Sequence, residues 1–350
     1  MKKKLLAIFT AAGLLVAGLP AGAMAAGSAS DKVTVQFSAG VPGQFDMVDE
    51  TITATGDLAE KYFPEIKDNE PAGKVSFVDV LVAAHIQKYG KGKVKDHLTV
   101  TSGTYGTQVN KQFSHTNVGM YFVNNKLLSF GVSEAVKNKN VLYAGASAGD
   151  ALDFGFAFFD KKEVKVTAGN TFSLNAKYLF TDPLDFSSKE LPLSGATIAA
   201  VAKKSGKLTN MKVKTDKKGK ASVTLDKAGT TYLSLNGKAD TGFGDSSLAG
   251  ALAKVTVGLD KAKITKKKGG KKKVTLGWKK VTGAKKYQVY RATKKNGKFK
   301  KVATVSKTSY VNKKLKKNKK YFYKVRAYAK VDGKAYKGAF SAVVKVKTKK

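Results

Sequence analysis

The C-terminal quarter of this chain can fold only as short β-strands. Apolar residues recur at every second position in Val274-Thr-Leu-Gly-Trp278, Tyr287-Gln-Val-Tyr-Arg291, Lys301-Val-Ala-Thr-Val305, Tyr321-Phe-Tyr-Lys-Val-Arg-Ala-Tyr328 and Ala342-Val-Val-Lys-Val-Lys347. Successive side chains of a strand point to opposite faces, so this period lays valines and aromatics along one face and lysines along the other. Turn signals separate the runs at Thr282-Gly283, Lys295-Asn296-Gly297 and Val331-Asp332-Gly333. Together they predict a small β-sandwich.

Three features of these runs carry a more specific pattern. Trp278 ends the first strand, Gly283-Ala284 precedes a strand bearing Tyr287 and Val289, and Leu315 stands six residues before Tyr321. In this order they resemble a fibronectin type III domain over about 261–350. The resemblance implies a tyrosine corner, with Leu315 filling the core under the turn while the Tyr321 hydroxyl bonds back to nearby backbone. Asn318 departs from the family, which often has glycine in that loop. The domain proper is expected over 274–350, and 259–273, rich in lysine and glycine, reads as an extended linker leading into its first strand.

The charge is concentrated in the same region. From Lys261 to Lys350 there are 34 Lys+Arg and one acid, Asp332, whereas residues 26–260 hold 28 Lys+Arg against 24 acids, within a chain of net charge +40. Lysines can simply solvate the outer faces of strands and blunt sheet edges. A surface serving solubility alone mixes its signs, however, and 34 bases with one acid repel one another. The excess points to a polyanion. Its expected contacts are Lys266, Lys267, Lys268, Lys271, Lys272 and Lys273 before the first strand, and Lys313, Lys314, Lys316, Lys317, Lys319 and Lys320 around the corner.

The N-terminus indicates where such a partner is met. Met1-Lys2-Lys3-Lys4, an apolar run from Leu5 to Leu19, Pro20 and the small-residue site Ala23-Met24-Ala25 together form a signal peptide over 1–25, with cleavage after Ala25. A run of ~15 residues is short for a membrane span. No later stretch is long and apolar enough to anchor the chain, and its C-terminus lacks the sorting motif, apolar span and basic tail of a covalent wall anchor. The expected product is secreted, extracellular or held non-covalently on a cell wall. With zero cysteines, disulfides, thiolate metal sites and a lipidated cysteine are all excluded. A cysteine-free exported chain suits a Gram-positive bacterium. Chromosomal DNA then drops out as a partner, leaving teichoic acid, anionic lipid headgroups and shed nucleic acid, each bound through phosphate charge. Teichoic acid is the nearest of these.

Residues 26–153 read as strand, loop, helix and further strands. Val33–Phe37 alternates and precedes a Pro42-Gly43 loop. Residues 75–89 have near-helical apolar spacing, with Ser76 as cap, Asp79 three residues on and Gly90 as stop. Strands follow at Val118–Val123, Leu127–Val132 and Val141–Gly145. A helix crossing between early and late strand pairs is β-grasp-like. The stretch Tyr121-Phe-Val-Asn-Asn125, Phe130-Gly131-Val132, Lys137-Asn-Lys-Asn140 and Val141-Leu-Tyr143 resembles the β-grasp ligand-binding domain of the transcobalamin-like family. It lacks the tryptophan common there and has Asn-Lys-Asn where Gly-Asp is usual. With no adjoining helical ligand domain, the resemblance implies a generic binding or spacer module rather than a cobalamin site.

Residues 154–258 carry strand runs at Glu163–Thr167, Thr171–Phe180, Ala196–Val201, Lys220–Leu225 and Thr230–Leu235, with turns between them. From Leu193 to Tyr232 the order of Leu-Ser-Gly-Ala, Thr-Asp-Lys-Lys-Gly and Ala-Gly-Thr motifs resembles bacterial Ig-like surface repeats, implying an Ig-like sandwich. The fold expected for the whole is mainly β and multidomain: an α+β β-grasp-like domain, an Ig-like β-sandwich and a fibronectin type III-like β-sandwich.

Catalysis needs a nucleophile and base, paired carboxylates or a metal set. The three histidines, His85, His97 and His115, show no metal-binding spacing, and no G-x-S-x-G elbow occurs. Asp46, Asp49 and Glu50, with Asp182 and Asp185, read as solvated loop charge, and Asp240–Asp245 as a glycine-rich loop. No enzyme, metal or cofactor is expected. The function expected is a non-catalytic adhesion or binding protein docked to anionic wall polymer by its basic module. The alternative is a soluble protein capturing a small molecule or glycan through the β-grasp domain and the run Asp153-Phe-Gly-Phe-Ala-Phe-Phe159. Trp278 and Tyr287 are expected in the core rather than stacked on a ligand.

Overall fold

A computed structural model describes residues 31–66, 74–103, 106–116, 118–128, 131–147, 154–182, 184, 187–242 and 244–350. The expected signal peptide with its cleavage after Ala25, and Phe130, Asp153 and Asp185, lie outside them.

In the N-terminal part, β1 (Lys32–Val41) and β2 (Gln44–Thr55) form a hairpin about Pro42-Gly43. Helices α1 (Leu58–Tyr62), α2 (Phe77–Tyr89) and α3 (Val94–His97) follow. Then come a hairpin of β3 (Thr99–Gly103) and β4 (Gly106–Lys111), a second of β5 (Val118–Val123) and β6 (Lys126–Leu127), and finally β7 (Val141–Ala146). The sheet order is β2-β1-β7-β5-β6, with β7 parallel to β1 at the centre. This is the β-grasp arrangement the pattern predicts: a hairpin, a crossing helix, and a last strand inserted beside the first.

The helix starts where its cap dictates. Ser76 Oγ accepts from the Asp79 N–H (3.0 Å) and the Asp79 carboxylate accepts from the Ser76 N–H (2.9 Å), a reciprocal capping box. Asp79 also accepts from the Ala59 N–H at 2.8 Å, tying α1 to the same cap. Residues 77–85 are all buried, so α2 is covered on every side over its first two turns. Two expectations fail here. Among the described residues of the strand expected at Leu127–Val132, ladder pairing is confined to Lys126–Leu127 and the Leu128 N–H bond to the Tyr121 carbonyl (2.9 Å), and Gly131 takes φ +75, where the chain turns. The acidic trio Asp46, Asp49 and Glu50 lies on β2 rather than in a loop; register shifts between Phe37 and Gly40 break the alternation that would mark the strand.

The middle part is a two-sheet sandwich. Its strands are β8 (Phe154–Phe159), β9 (Glu163–Thr167), β10 (Thr171–Thr181), β11 (Ser188–Pro192), β12 (Thr197–Val201) and β13 (Leu208–Lys214). They continue with β14 (Lys220–Thr224), β15 (Gly229–Asn236), β16 (Lys238–Asp240), β17 (Asp245–Ala249) and β18 (Ala253–Gly258). One sheet runs β11-β10-β8-β17-β16 with β14 also on β10, and the other β13-β12-β15-β18-β9. Leu174, Ile198, Val223, Leu233 and Val255, all completely buried, fill the space between them. The Asp216–Gly219 turn shows why its residues were legible. Asp216 Oδ1 accepts from Lys218 and Lys220 N–H groups (2.9 Å each), and a side chain at Gly219, φ +75, would strike the Ala176 carbonyl.

The basic part comprises β19 (Ile264–Gly270), β20 (Lys273–Trp278), β21 (Lys286–Ala292), β22 (Lys300–Val305), β23 (Ser309–Asn312), β24 (Lys320–Val331), β25 (Lys334–Lys337) and β26 (Val344–Lys347). A sheet β19-β20-β23 faces a sheet β22-β21-β24-β25, with β26 also on β24. That strand order is a fibronectin type III-like β-sandwich. The segment expected as a linker, 259–273, is corrected: Lys266 to Gly270 pair with Lys273 to Gly277, so its central part, Ile264–Gly270, is the first strand of the sandwich. Lysine repulsion does not prevent this, because an edge strand lets each ammonium stay in water while the backbone pairs.

Candidate functional site

The tyrosine corner closes as the residues imply. The Lys316 N–H donates to the Tyr321 hydroxyl at 3.0 Å, and Leu315 is buried with Trp278, Tyr287 and Tyr323 in the module's core. Trp278 and Tyr287 pack with ring centroids 5.4 Å apart, and the Tyr287 hydroxyl accepts from the Val281 N–H, so both belong to packing. Asn318 takes φ +55, the left-handed conformation for which glycine is common and asparagine is tolerated; the departure from the family pattern is conformationally neutral.

This corner gathers the lysines. The Leu315 N–H donates to the Lys272 carbonyl (3.0 Å), the Lys349 N–H to Gly270 (3.1 Å) and Thr348 Oγ1 to Lys316 (2.7 Å). Three chain segments, the turn after β19, the loop before β24 and the C-terminus, are thereby stitched into one end of the sandwich. Lys271, Lys272, Lys273, Lys313, Lys314, Lys316, Lys317, Lys319 and Lys320 all lie there and all are exposed. The β21–β22 loop joins them, since Ala292 pairs with Phe322 near the start of β24. It brings Lys294, Lys295 and Lys298, and the C-terminus brings Lys347, Lys349 and Lys350. Sequence reasoning missed these six because the signal that finds them is strand pairing between distant segments.

Lys266, Lys267 and Lys268 run back along β19, away from the end. Lys267 pairs with the buried Leu276, which puts a charge on the core side of an edge strand. Such a residue deters strand addition, a sufficient reason for that lysine.

Asp332, the module's one acid, sits at the far end of β24, 12 residues long. At ~3.3 Å per residue that is roughly 40 Å from Lys320, several screening lengths. Among the described residues, no ion pair involves a Lys or Arg of 261–350; the ion pairs of the fold all lie in the front parts. The two arginines are engaged internally. Arg291 donates to Asn312 (3.0 Å), and Arg326 donates to Gln288 (2.8 Å) and the Tyr290 hydroxyl (3.0 Å). The exposed end is therefore a field of lysine point charges without guanidinium forks. The opposite end abuts the middle sandwich: Thr282 and Gly283 approach Ala168 and Gly169, and Tyr336 meets Thr230 at 3.3 Å.

A second feature lies between the two front parts. Phe45, Val48, Phe122 and Tyr143 of the β-grasp part form one apolar cluster with Phe156, Phe158, Val201, Tyr232 and Ala249 of the middle sandwich. Phe122 and Phe156 stack at 3.6 Å. Asp49 latches the same boundary: its carboxylate meets Lys254 and the Tyr232 hydroxyl, both at 2.9 Å. Glu50 pairs with Lys203 (3.4 Å), and Asp46 with His115 (2.9 Å) and Lys88 (3.8 Å). The expectation of solvated loop charge is thus corrected for all three acids; each is half-buried because a neighbouring element supplies its cation. Beside the latch is a cleft of about 190 Å³ whose lining includes Phe122, Tyr143, Phe156, Phe158, Lys162 and Leu252. From the run Phe154–Phe159, Phe156 and Phe158 serve both the interdomain core and this cleft.

The histidines do not converge. His85 is buried, with Nδ1 2.7 Å from the Leu81 carbonyl and Nε2 accepting from the Phe113 N–H (3.0 Å); burial depresses its pKa to about 4. His97 Nδ1 lies 2.8 Å from Ser114 Oγ while its ring stacks on Tyr89 at 3.7 Å. Among the described residues no carboxylate bonds the other ring nitrogen of His97 to complete a triad. Asp240 and Asp245 pair between antiparallel strands, and the Asp240 carboxylate accepts from the Gly242 (2.9 Å) and Gly244 (3.3 Å) N–H groups. Among the described residues no three His, Cys, Asp or Glu side chains gather to hold a metal, and no helix is long and apolar enough to cross a membrane.

No protein-family model matches the chain, and no curated protein matches it. Solved structures similar to it include fibronectin type III domains. A two-domain segment of chicken tenascin is 18% identical, covering 52% of this chain and 94% of its own, at a TM-score of 0.38. A human fibronectin type III domain-containing protein 3 domain is 24% identical, over 26% of this chain and 87% of its own, at 0.23. An Fn3-like protein from Clostridium thermocellum is 26% identical, over 23% and 86%, at 0.19. At these scores the likenesses add nothing to the strand order and the tyrosine corner, which by themselves make the basic module a fibronectin type III-like β-sandwich.

Proposed function

We propose that this is a secreted, non-catalytic protein of a Gram-positive surface, held to anionic wall polymer by the lysine end of its basic module. The observation that carries the reading is the gathering of lysines from four chain segments at the end remote from the front domains, with the one acid of the module at the other end. A flexible polyphosphate such as teichoic acid relieves that repulsion and gains from counterion release. The front domains, locked together across the Phe122–Phe156 stack, are then displayed outward as one unit. The test is retention of the full chain on purified walls before and after removal of teichoic acid. Equal retention on stripped walls overturns the reading.

A second reading, ligand capture, is favoured by the cleft between the front domains. The resemblance of the β-grasp part to the transcobalamin-like family supports a binding role for that part. In this reading the protein is soluble and the cleft takes a small molecule or glycan.

A further inference from the structure

We infer that the cleft between the β-grasp part and the middle sandwich binds a small aromatic carboxylate, its ring against Phe122, Phe156 and Leu252 and its carboxylate on Lys162. The inference rests on the capture reading and gives it a ligand chemistry.

Charge accounting selects the anion. Four charged side chains line the cleft: Asp49, Lys162, Glu163 and Lys254. Lys254 holds Asp49 at 2.9 Å and reaches Glu163 at 3.7 Å, so these three satisfy one another. Asp49 is further held by the Tyr232 hydroxyl. Lys162 alone among the four has no ion-pair partner among the described residues. It is half-buried at the turn between β8 and β9, and that burial lowers its pKa, with no carboxylate to restore it. A partly desolvated ammonium without a counter-charge is stabilised by an anion placed beside it.

Shape selects the ring. The cleft holds about 190 Å³, and an apolar cavity of ~150 Å³ accommodates benzene. The room left over suits one small substituent. The apolar wall is already organised, because Phe122 and Phe156 are held by stacking on each other and Phe158 packs 5.8 Å from Phe156. Binding therefore needs little reordering of side chains.

The full chain is titrated with benzoate, benzyl alcohol and benzylamine, followed by amide shifts of Lys162, Gly250 and Leu252. Benzoate is expected to shift these amides and to bind at least about tenfold more tightly than the other two, the worth of one charge-assisted hydrogen bond. Lys162→Gln should lose about that factor, and Leu252→Trp, which fills the cleft, should abolish the shifts. A variant with Lys316, Lys317, Lys319 and Lys320 changed to Gln should bind benzoate unchanged. Benzyl alcohol or benzylamine binding the cleft as well as benzoate overturns the carboxylate assignment but leaves capture standing. Silence of the cleft amides to all three probes overturns both. Benzoate affinity unchanged by Lys162→Gln overturns the role of that lysine and with it the inference.

Discussion

Lowering pH should loosen the β-grasp part through one buried histidine. His85 is neutral in the fold, donating through Nδ1 to Leu81 and accepting through Nε2 from Phe113, with the Phe113 ring stacked on it at 4.1 Å. Protonation would remove that acceptor and place a charge in the core. Its pKa falls from 6.5 to about 4 chiefly through burial, which the hydrogen bond to the Leu81 carbonyl opposes; repulsion from His97 and Lys88 adds to the fall and attraction by Asp46 counters it. The unfolded chain therefore binds the extra proton between these values while the native chain does not. Stability is full above pH ~6.5 and declines as pH falls through the window, by roughly 2 kcal/mol near pH 5 and roughly 3 once below about 4. Asp79 acts in the opposite sense, since burial raises its pKa and the native state takes up that proton more readily as pH falls. The assay is hydrogen-exchange protection of α2 amides near pH 7 and near pH 5, in the parent and in His85→Gln, whose amide can both donate and accept. The parent should lose protection and the variant should lose much less. A His85 ring signal titrating near 6.5, or equal losses in both proteins, would refute the reasoning.

Three further outcomes follow from the packing. Tyr321→Phe removes the hydroxyl that accepts from Lys316 and should destabilise the basic module by about 1 kcal/mol; urea unfolding read by Trp278, the only tryptophan, measures it. Phe156→Ala deletes half of the interdomain stack and should destabilise the front unit by about 3 to 5 kcal/mol, seen as a lowered midpoint for amides of both front domains with Trp278 unfolding unchanged. Gly269→Ala would drive a side chain into the Lys347 carbonyl, so β19 should separate from the C-terminal segment, with loss of exchange protection at Lys349.

What was legible in the sequence was local. The Leu315 to Tyr321 spacing, the Ser76-x-x-Asp79 cap and the Asp216–Gly219 turn each act within a few residues, so their chemistry can be read along the chain. What was hidden depends on partners far away. Asp49 reads as loop charge until Lys254 and Tyr232 stand beside it, 205 and 183 residues on. The strand β19 reads as a linker because its lysines and paired glycines give no alternation, and only the register with β20 makes it a strand. The lysine end was half legible: the two runs around 271 and 313–320 are visible in sequence, but their meeting is a product of the backbone bonds from Leu315 to Lys272 and from Lys349 to Gly270.

The most direct test of the docking account is the salt dependence of full-chain binding to poly(glycerol phosphate), in the parent and in a variant with Lys313, Lys314, Lys316, Lys317, Lys319 and Lys320 changed to Gln. If six or more phosphates are engaged, raising salt from ~50 to ~200 mM should weaken the parent by about a thousandfold or more, and the variant should show a much shallower slope. Polyphosphate should compete, because lysine point charges select poorly among phosphates. A salt-independent affinity, or a slope unchanged by the six substitutions, would contradict the account and leave the lysines as a solvated surface.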